Sequence, residues 1–170
     1  AVAHDTPDIP DEVKTQVIED LRNAIEQYQE TQNGRIALGK VAEEVRQMVK
    51  DARAKQQWKR VLSLTDIFSV FRRNQSFMGF YTQMAEVHLA RPNVKLKGFF
   101  NDETKGDTYV FLKVRLPDAE SGQVIQVREG EEFLDPPHTL KLLKILGRNQ
   151  GVRIEYLALP GDVFELRLDE

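Results

Sequence analysis

A change in the period of the hydrophobic pattern at Arg91-Pro92-Asn93 constrains this chain more than any single residue. Upstream, Leu38, Val41, Val45, Met48 and Ala52 recur at spacings of three and four, as along one side of a helix. Downstream, Val110, Leu112, Val114 and Leu116 alternate with Phe111, Lys113 and Arg115, the period of a strand with one buried face. The chain therefore reads as α+β. Residues 1–10, with Pro7 and Pro10, form an extended arm, residues 11–91 a helical hairpin or bundle, and residues 94–170 a small antiparallel β-sandwich or partly open barrel.

Within the helical part, Asp11-Glu12 place acids where the helix dipole favours them, and Val13, Val17, Leu21, Ala24, Ile25 and Tyr28 make the apolar stripe. Asn33-Gly34, both tolerant of the left-handed conformation, predict the end of this helix. A second helix from Ile36 to Ala54 then folds back as an antiparallel hairpin. The stretch Trp58 to Tyr81 predicts two short helices, interrupted at Thr65-Asp66 and at Asn74-Gln75-Ser76, whose side chains bond locally to the backbone. A last helix carrying Phe77, Tyr81, Met84, Val87 and Leu89 ends before Pro92. Strands are expected over 94–100, 108–116, 123–128, 140–146, 152–158 and 163–168. Turn chemistry separates them, for example at Lys105-Gly106-Asp107, Arg148-Asn149-Gln150-Gly151 and Pro160-Gly161-Asp162. Such short separators favour antiparallel pairing, because parallel crossovers need a dozen or more residues.

Composition narrows the function. At 170 residues with 41% hydrophobic and 30% charged, the profile is that of a soluble, folded chain. The net charge of −3 hides a polarity: residues 1–34 hold eight acids against Lys14 and Arg22, whereas residues 35–73 hold ten bases against four acids. An acidic first helix lying beside basic second and third helices accounts for this simply. The absence of cysteine excludes disulfides, cysteine-based zinc sites and thiol catalysis. No apolar run approaches the roughly 20 residues that span a bilayer. The opening Ala1-Val2-Ala3-His4-Asp5, without methionine, fits a cleaved precursor, a chain freed of a membrane anchor, or a tag remnant.

No catalytic toolkit is visible. His4, His88 and His138 are too scattered to make a metal ligand set, and no metal or other cofactor is expected. Glu129, Glu131, Glu132 and Asp135 are dense enough for a carboxylate pair, yet they follow a strand and read first as a solvated turn. No serine or threonine sits in a nucleophile elbow, and no glycine spacing matches a phosphate loop. Two binding surfaces suggest themselves instead. Trp58, Phe68, Phe71, Phe77 and Phe80 could dock a protein partner or a second copy of the chain, although aromatics at helical spacing usually form a core. Arg53, Lys55, Lys59, Arg60, Arg72 and Arg73, with Arg46 and Lys50 upstream, could hold an anion; a pI of 5.7 and the neighbouring acidic helix weigh against nucleic acid there. A strand-bearing aromatic face built from Phe99, Phe100, Tyr109, Phe111, Tyr156 and Phe164 is weaker still, because the core must claim several of these rings.

The downstream half resembles the small periplasmic β-domain shared by the pilus-assembly protein P family of type IV pili and the homology region of the type II secretion protein C family. The residues that carry the likeness are the opening strand Val94-Lys95-Leu96-Lys97-Gly98-Phe99-Phe100 and the run from Gly122 to Phe133 through Arg128-Glu129-Gly130-Glu131-Glu132. Leu140 to Ile145, Val152 to Tyr156 and Val163 to Leu168 resemble the later paired strands. That family usually precedes its β-domain with a flexible, proline-rich stretch, where this chain has helices. The resemblance implies a non-enzymatic component of a periplasmic or envelope assembly, acting through sheet-edge addition and apolar grooves. The expected function is that of a structural or adaptor protein, with a nucleic-acid-binding module on residues 35–73, a small-ligand or carbohydrate-binding β-domain, and a cytoplasmic setting as alternatives.

Overall fold

The computed structural model describes residues 8–73 and 75–168. The first part of the arm, including His4 and Pro7, and Asn74 lie outside the described residues. Among the described residues four helices, α1 (Asp11–Tyr28), α2 (Gln32–Ala54), α3 (Trp58–Ser69) and α4 (Gln75–Leu89), precede seven strands. These are β1 (Asn93–Asp102), β2 (Asp107–Arg115), β3 (Gln123–Arg128), β4 (Glu132–Phe133), β5 (Leu140–Leu146), β6 (Gly151–Tyr156) and β7 (Val163–Arg167). All pairings are antiparallel and fall into two sheets, β1-β2-β3 and β4-β5-β6-β7, which do not close into a barrel. The fold is α+β. The chain divides into two units between Glu86 and Val87, inside α4 and ahead of Arg91-Pro92-Asn93.

In the helical unit the core is made by α2 and α3, with Ala85 from α4. The buried ladder of α2 is Ala42, Val45, Val49 and Ala52, again spaced by three and four but turned from the sequence reading, so that Val41 and Met48 are exposed. Small side chains at 42 and 52 let α3 approach, which presents Val61, Leu64, Ile67 and Phe68 to them. α1 lays Val17, Ile18 and Leu21 on this core without burying any residue completely.

Two helix boundaries differ from those the sequence predicts. Asn33-Gly34 does not end α1 but lies in the first turn of α2, where Thr31 is the N-cap and its Oγ1 accepts from Gly34 N at 3.0 Å. Arg35 closes the other side of the turn, its Nη1 donating to Gln29 O at 3.0 Å at the end of α1. Gly34 is required by proximity: a Cβ there would fall inside the Tyr28 carbonyl oxygen. Nor is α3 interrupted at Thr65-Asp66, because Thr65 Oγ1 donates back to Leu62 O at 2.8 Å and so is satisfied within the helix.

In the β unit both sheets contribute to one core, with Leu96, Val110, Leu112 and Val114 from the first and Leu140, Leu142, Val152, Ile154 and Tyr156 from the second. Strand alternation produces this: positions 110, 112 and 114 of β2 are buried while 113 and 115 are exposed. A bulge in β1 between Leu96 and Gly98 shifts the alternation by one residue. The short strand β4, read in the sequence as part of a solvated turn, pairs Glu132 with Lys141 and Phe133 with Leu140. Tyr156 is fully buried, and its Oη lies 2.9 Å from Pro137 O and 3.0 Å from Val87 O, sharing one proton between two carbonyls. Val87 itself packs on the β core, which is why the last turn of α4 belongs to this unit.

Two glycines of α2 yield opposite predictions. Gly34→Ala should destabilise the helical unit by about 1–3 kcal/mol, since a backbone carbonyl cannot make room cheaply. Gly39→Ala, whose Cβ would meet only Arg73 Nη1 at an ordinary 3.6 Å, should stabilise it by up to about 1 kcal/mol. Urea unfolding followed by helical circular dichroism checks both; equal effects would show that the α1–α2 turn is misread. Tyr156→Phe, which keeps the ring but leaves two carbonyls without their donor, should cost about 1–2 kcal/mol in the β unit, read as a lower midpoint of tyrosine-independent amide exchange.

Candidate functional site

The structure separates the five aromatic candidates. Phe68 is 2% exposed and belongs to the core, so it cannot meet a partner. Trp58, Phe71 and Phe77 are half-buried and pack against the same cluster. Phe77 anchors a chain of rings, with Phe68 at 5.6 Å and Tyr81 at 4.5 Å, and Arg46 lies over its face at 5.1 Å. Only Phe80 stands out, 56% exposed and edge-on to Tyr81 at 5.3 Å. Its helical neighbours Ser76, Gly79 and Gln83 are exposed and no bulkier than glutamine, and the space around Gly79 is open. Phe77 and Met84, also its helical neighbours, are half-buried, so Phe80 is the one large apolar side chain of α4 that is exposed.

The basic candidates do not form one patch. Lys59 pairs with Asp8 at 3.8 Å, and Arg53 Nε contacts Met84 Sδ at 3.4 Å. The charge polarity of the sequence is only partly used: the ion pair between α1 and α3 is Lys14 with Asp66 at 3.1 Å, the base coming from the acidic helix. Arg72 and Arg73 follow α3, Arg72 in the left-handed conformation at φ 51°, and line an open cleft of about 860 Å³. Arg22 of α1 and Arg35 of α2 line the same cleft, with Glu26 and Glu30, over a floor that includes Ile25, Leu38 and Phe71. Among the described residues none of these four arginines forms an ion pair. Arg22 and Arg35 were not legible as members of a site, because they sit in different helices and outside any run of bases.

The acidic run is structural. Glu129 accepts from Ile145 N at 2.9 Å, and Glu131 accepts from Arg128 N at 3.0 Å and Arg128 Nε at 2.7 Å. Gly130 N donates to Leu142 O and Leu142 N to Glu131 O, tying the turn to β5. The backbone and side-chain donors of Arg128 hold the Glu131 carboxyl below the ordinary carboxylate range, and the same bond raises Arg128. His138 is fixed by Ala90 O, 2.6 Å from Nδ1; a carbonyl only accepts, so Nδ1 carries the proton. Arg91 Nε approaches Asp162 Oδ2 at 2.7 Å off the hydrogen-bond axis, Nη2 donates to Oδ1 at 3.3 Å, and the guanidinium covers the Phe164 ring at 4.3 Å.

These surfaces belong to an α+β protein with open clefts and an exposed aromatic group. Comparison with protein-family models, curated proteins and solved structures finds no match for the chain.

Because its folded pKa is depressed, Glu131 contributes stability that is present above the ordinary glutamate value, about 4.3, and lost as pH falls through the folded value. Carboxyl-detected NMR should find Glu131 titrating below that ordinary value, and Arg128→Gln, which removes the guanidinium but keeps the backbone N–H donor, should move it only part of the way back. A Glu131 midpoint at or above about 4.3 in the unaltered chain would contradict the clasp.

Proposed function

We propose that this chain is a non-enzymatic structural or adaptor protein that works through protein–protein contact. The observation that supports the reading is Phe80: a large ring, more than half exposed, on a helix that buries only Ala85 completely. Burying a fully exposed ring is worth roughly 1.5–3 kcal/mol, and at 56% exposure about half of that is left for a partner surface to recover. The small neighbours at 76 and 79 let an opposing surface come close. The occupant proposed is protein, including a second copy of the chain. The setting proposed is an envelope assembly, from the resemblance of residues 94–170 to the pilus-assembly and secretion β-domain.

Sedimentation equilibrium of the full chain from about 1 to 100 μM tests self-association through this ring, since micromolar contacts correspond to roughly 8 kcal/mol. The weight-average mass should rise with concentration, and Phe80→Glu should hold it at the monomer value while leaving the circular dichroism unchanged. A wild-type mass that stays at the monomer value across the range would remove the homodimer from this reading.

A further inference from the structure

The outer face of the three-stranded sheet departs from the rest of the molecule in charge. Lys95 of β1 and Lys113 of β2 are direct cross-strand partners, both exposed, with Val124 of β3 as the next residue in the row. Like charges directly opposite destabilise a sheet. Lys97 in the bulge and Arg115 at the end of β2 are exposed near them, and no aspartate or glutamate occurs in β1 before Asp102, in β2 after Asp107, or in β3. Among the described residues none of these four cations has an ion-pair partner. The second sheet sets carboxylates among its cations: Lys141 sits between Glu132 and Glu155, and although Lys144 stands opposite Arg153, Arg153 bonds Glu165 on its other side at 2.7 Å. A protein of net charge −3 thus keeps, on the first sheet, a cross-strand cation pair with no carboxylate in its row.

The same face carries rings. One row places Phe100 beside Tyr109 and Arg128, the first two with centroids 6.4 Å apart, and Phe100 is 53% exposed. Between this row and the lysines lies Phe111, whose cross-strand partner is Gly98, with nothing within 4 Å of where a Cβ would stand. The space above Gly98, beside Phe111 on the outer face, is therefore open. Rows two residues apart are separated by about 7 Å along a strand. Rings with open space between them and cations one row away suit an occupant that is both flat and anionic at short repeat. A bilayer has no planar group to fill the Gly98 slot, and an acidic peptide brings charge without stacking.

We infer that the outer face of the β1-β2-β3 sheet binds single-stranded nucleic acid, with Phe100, Tyr109 and Phe111 stacking bases and Lys95, Lys97 and Lys113 neutralising phosphates. This site goes beyond the protein–protein reading and uses no residue of it.

The test is fluorescence anisotropy of a labelled oligothymidylate of about 12 nucleotides, and of the matching duplex, titrated with the full chain at several salt concentrations. Single strands should bind more tightly than duplex. Lys95→Glu is the discriminating variant. It places a carboxylate opposite Lys113, so the unfolding midpoint should rise while affinity falls tenfold or more and the salt slope drops by at least about 0.7. Gly98→Val fills the slot without changing charge and should weaken binding about fivefold or more with the salt slope retained. The proposal is overturned by absence of binding at low salt, by affinity that Lys95→Glu and Gly98→Val leave unchanged, or by loss of binding on Arg53→Ala with Arg60→Ala instead. Binding to phosphatidylglycerol vesicles that exceeds oligonucleotide binding and ignores Gly98→Val would assign the face to a bilayer and equally overturn it.

Discussion

The bulge between Leu96 and Gly98 decides what the β unit shows to its surroundings. Along a regular strand, residues 94, 96, 98 and 100 would share one face, and Phe100 would enter the core. The extra residue at Lys97 shifts the count, so Phe99 packs inward opposite Val110 and Phe100 turns outward opposite Tyr109. Everything on the outer face follows from that shift and from the demand that Val110, Leu112 and Val114 stay dry. The inner face is held by dense apolar packing across two sheets, where side-chain alternation leaves no freedom. Register fixed on the inside therefore dictates composition on the outside.

The two sheets resolve the same electrostatic problem differently. In the second sheet Lys141 between Glu132 and Glu155, and Arg153 beside Glu165, set opposite charges across strands, which offsets the repulsion between Lys144 and Arg153. In β1 and β2 the lysines oppose each other and the aromatic rings stay half-open. Local consistency is the rule for stability, and departures from it concentrate where function requires them. The helical unit shows a milder version at Phe80, and among the described residues the arginines around the cleft lined by α1, α2 and α3 likewise form no ion pair.

Much of the architecture was legible in the sequence, for physical reasons that also explain the failures. The period change located the passage from helices to strands because helical and strand repeats of apolar residues cannot be confused over such lengths. Six of the seven strands were anticipated nearly to their ends; β4 was missed because two residues after a glutamate-rich turn carry no alternation. Turn residues misled where their role was capping: Gly34 serves a close backbone approach inside α2, and Thr65 folds its hydroxyl onto its own helix. The buried side of α2 could be read only approximately, since positions 41, 45, 48, 52 and 42, 45, 49, 52 obey the same spacing and differ by which neighbour arrives. Of the candidate residues, the aromatic list took in the exposed Phe80 and the buried Phe68 alike, because periodicity identifies an apolar stripe without saying how much of it a small unit covers. The outer sheet face was discounted because the core must claim several of its rings, as it does Tyr156, Phe99 and Phe164; which of Phe99 and Phe100 it takes depends on a bulge that a sequence cannot show.

The central claim is that the outer face of the β1-β2-β3 sheet, and not the basic helices, is where an anionic strand is held. Amide chemical-shift mapping of the full chain with an oligothymidylate addresses it residue by residue. The account predicts perturbations concentrated at Lys95 to Phe100 and Tyr109 to Arg115, with β5, β6 and β7 quiet. Shifts gathered instead at Arg53 to Arg60, or spread evenly over every lysine and arginine, would contradict it.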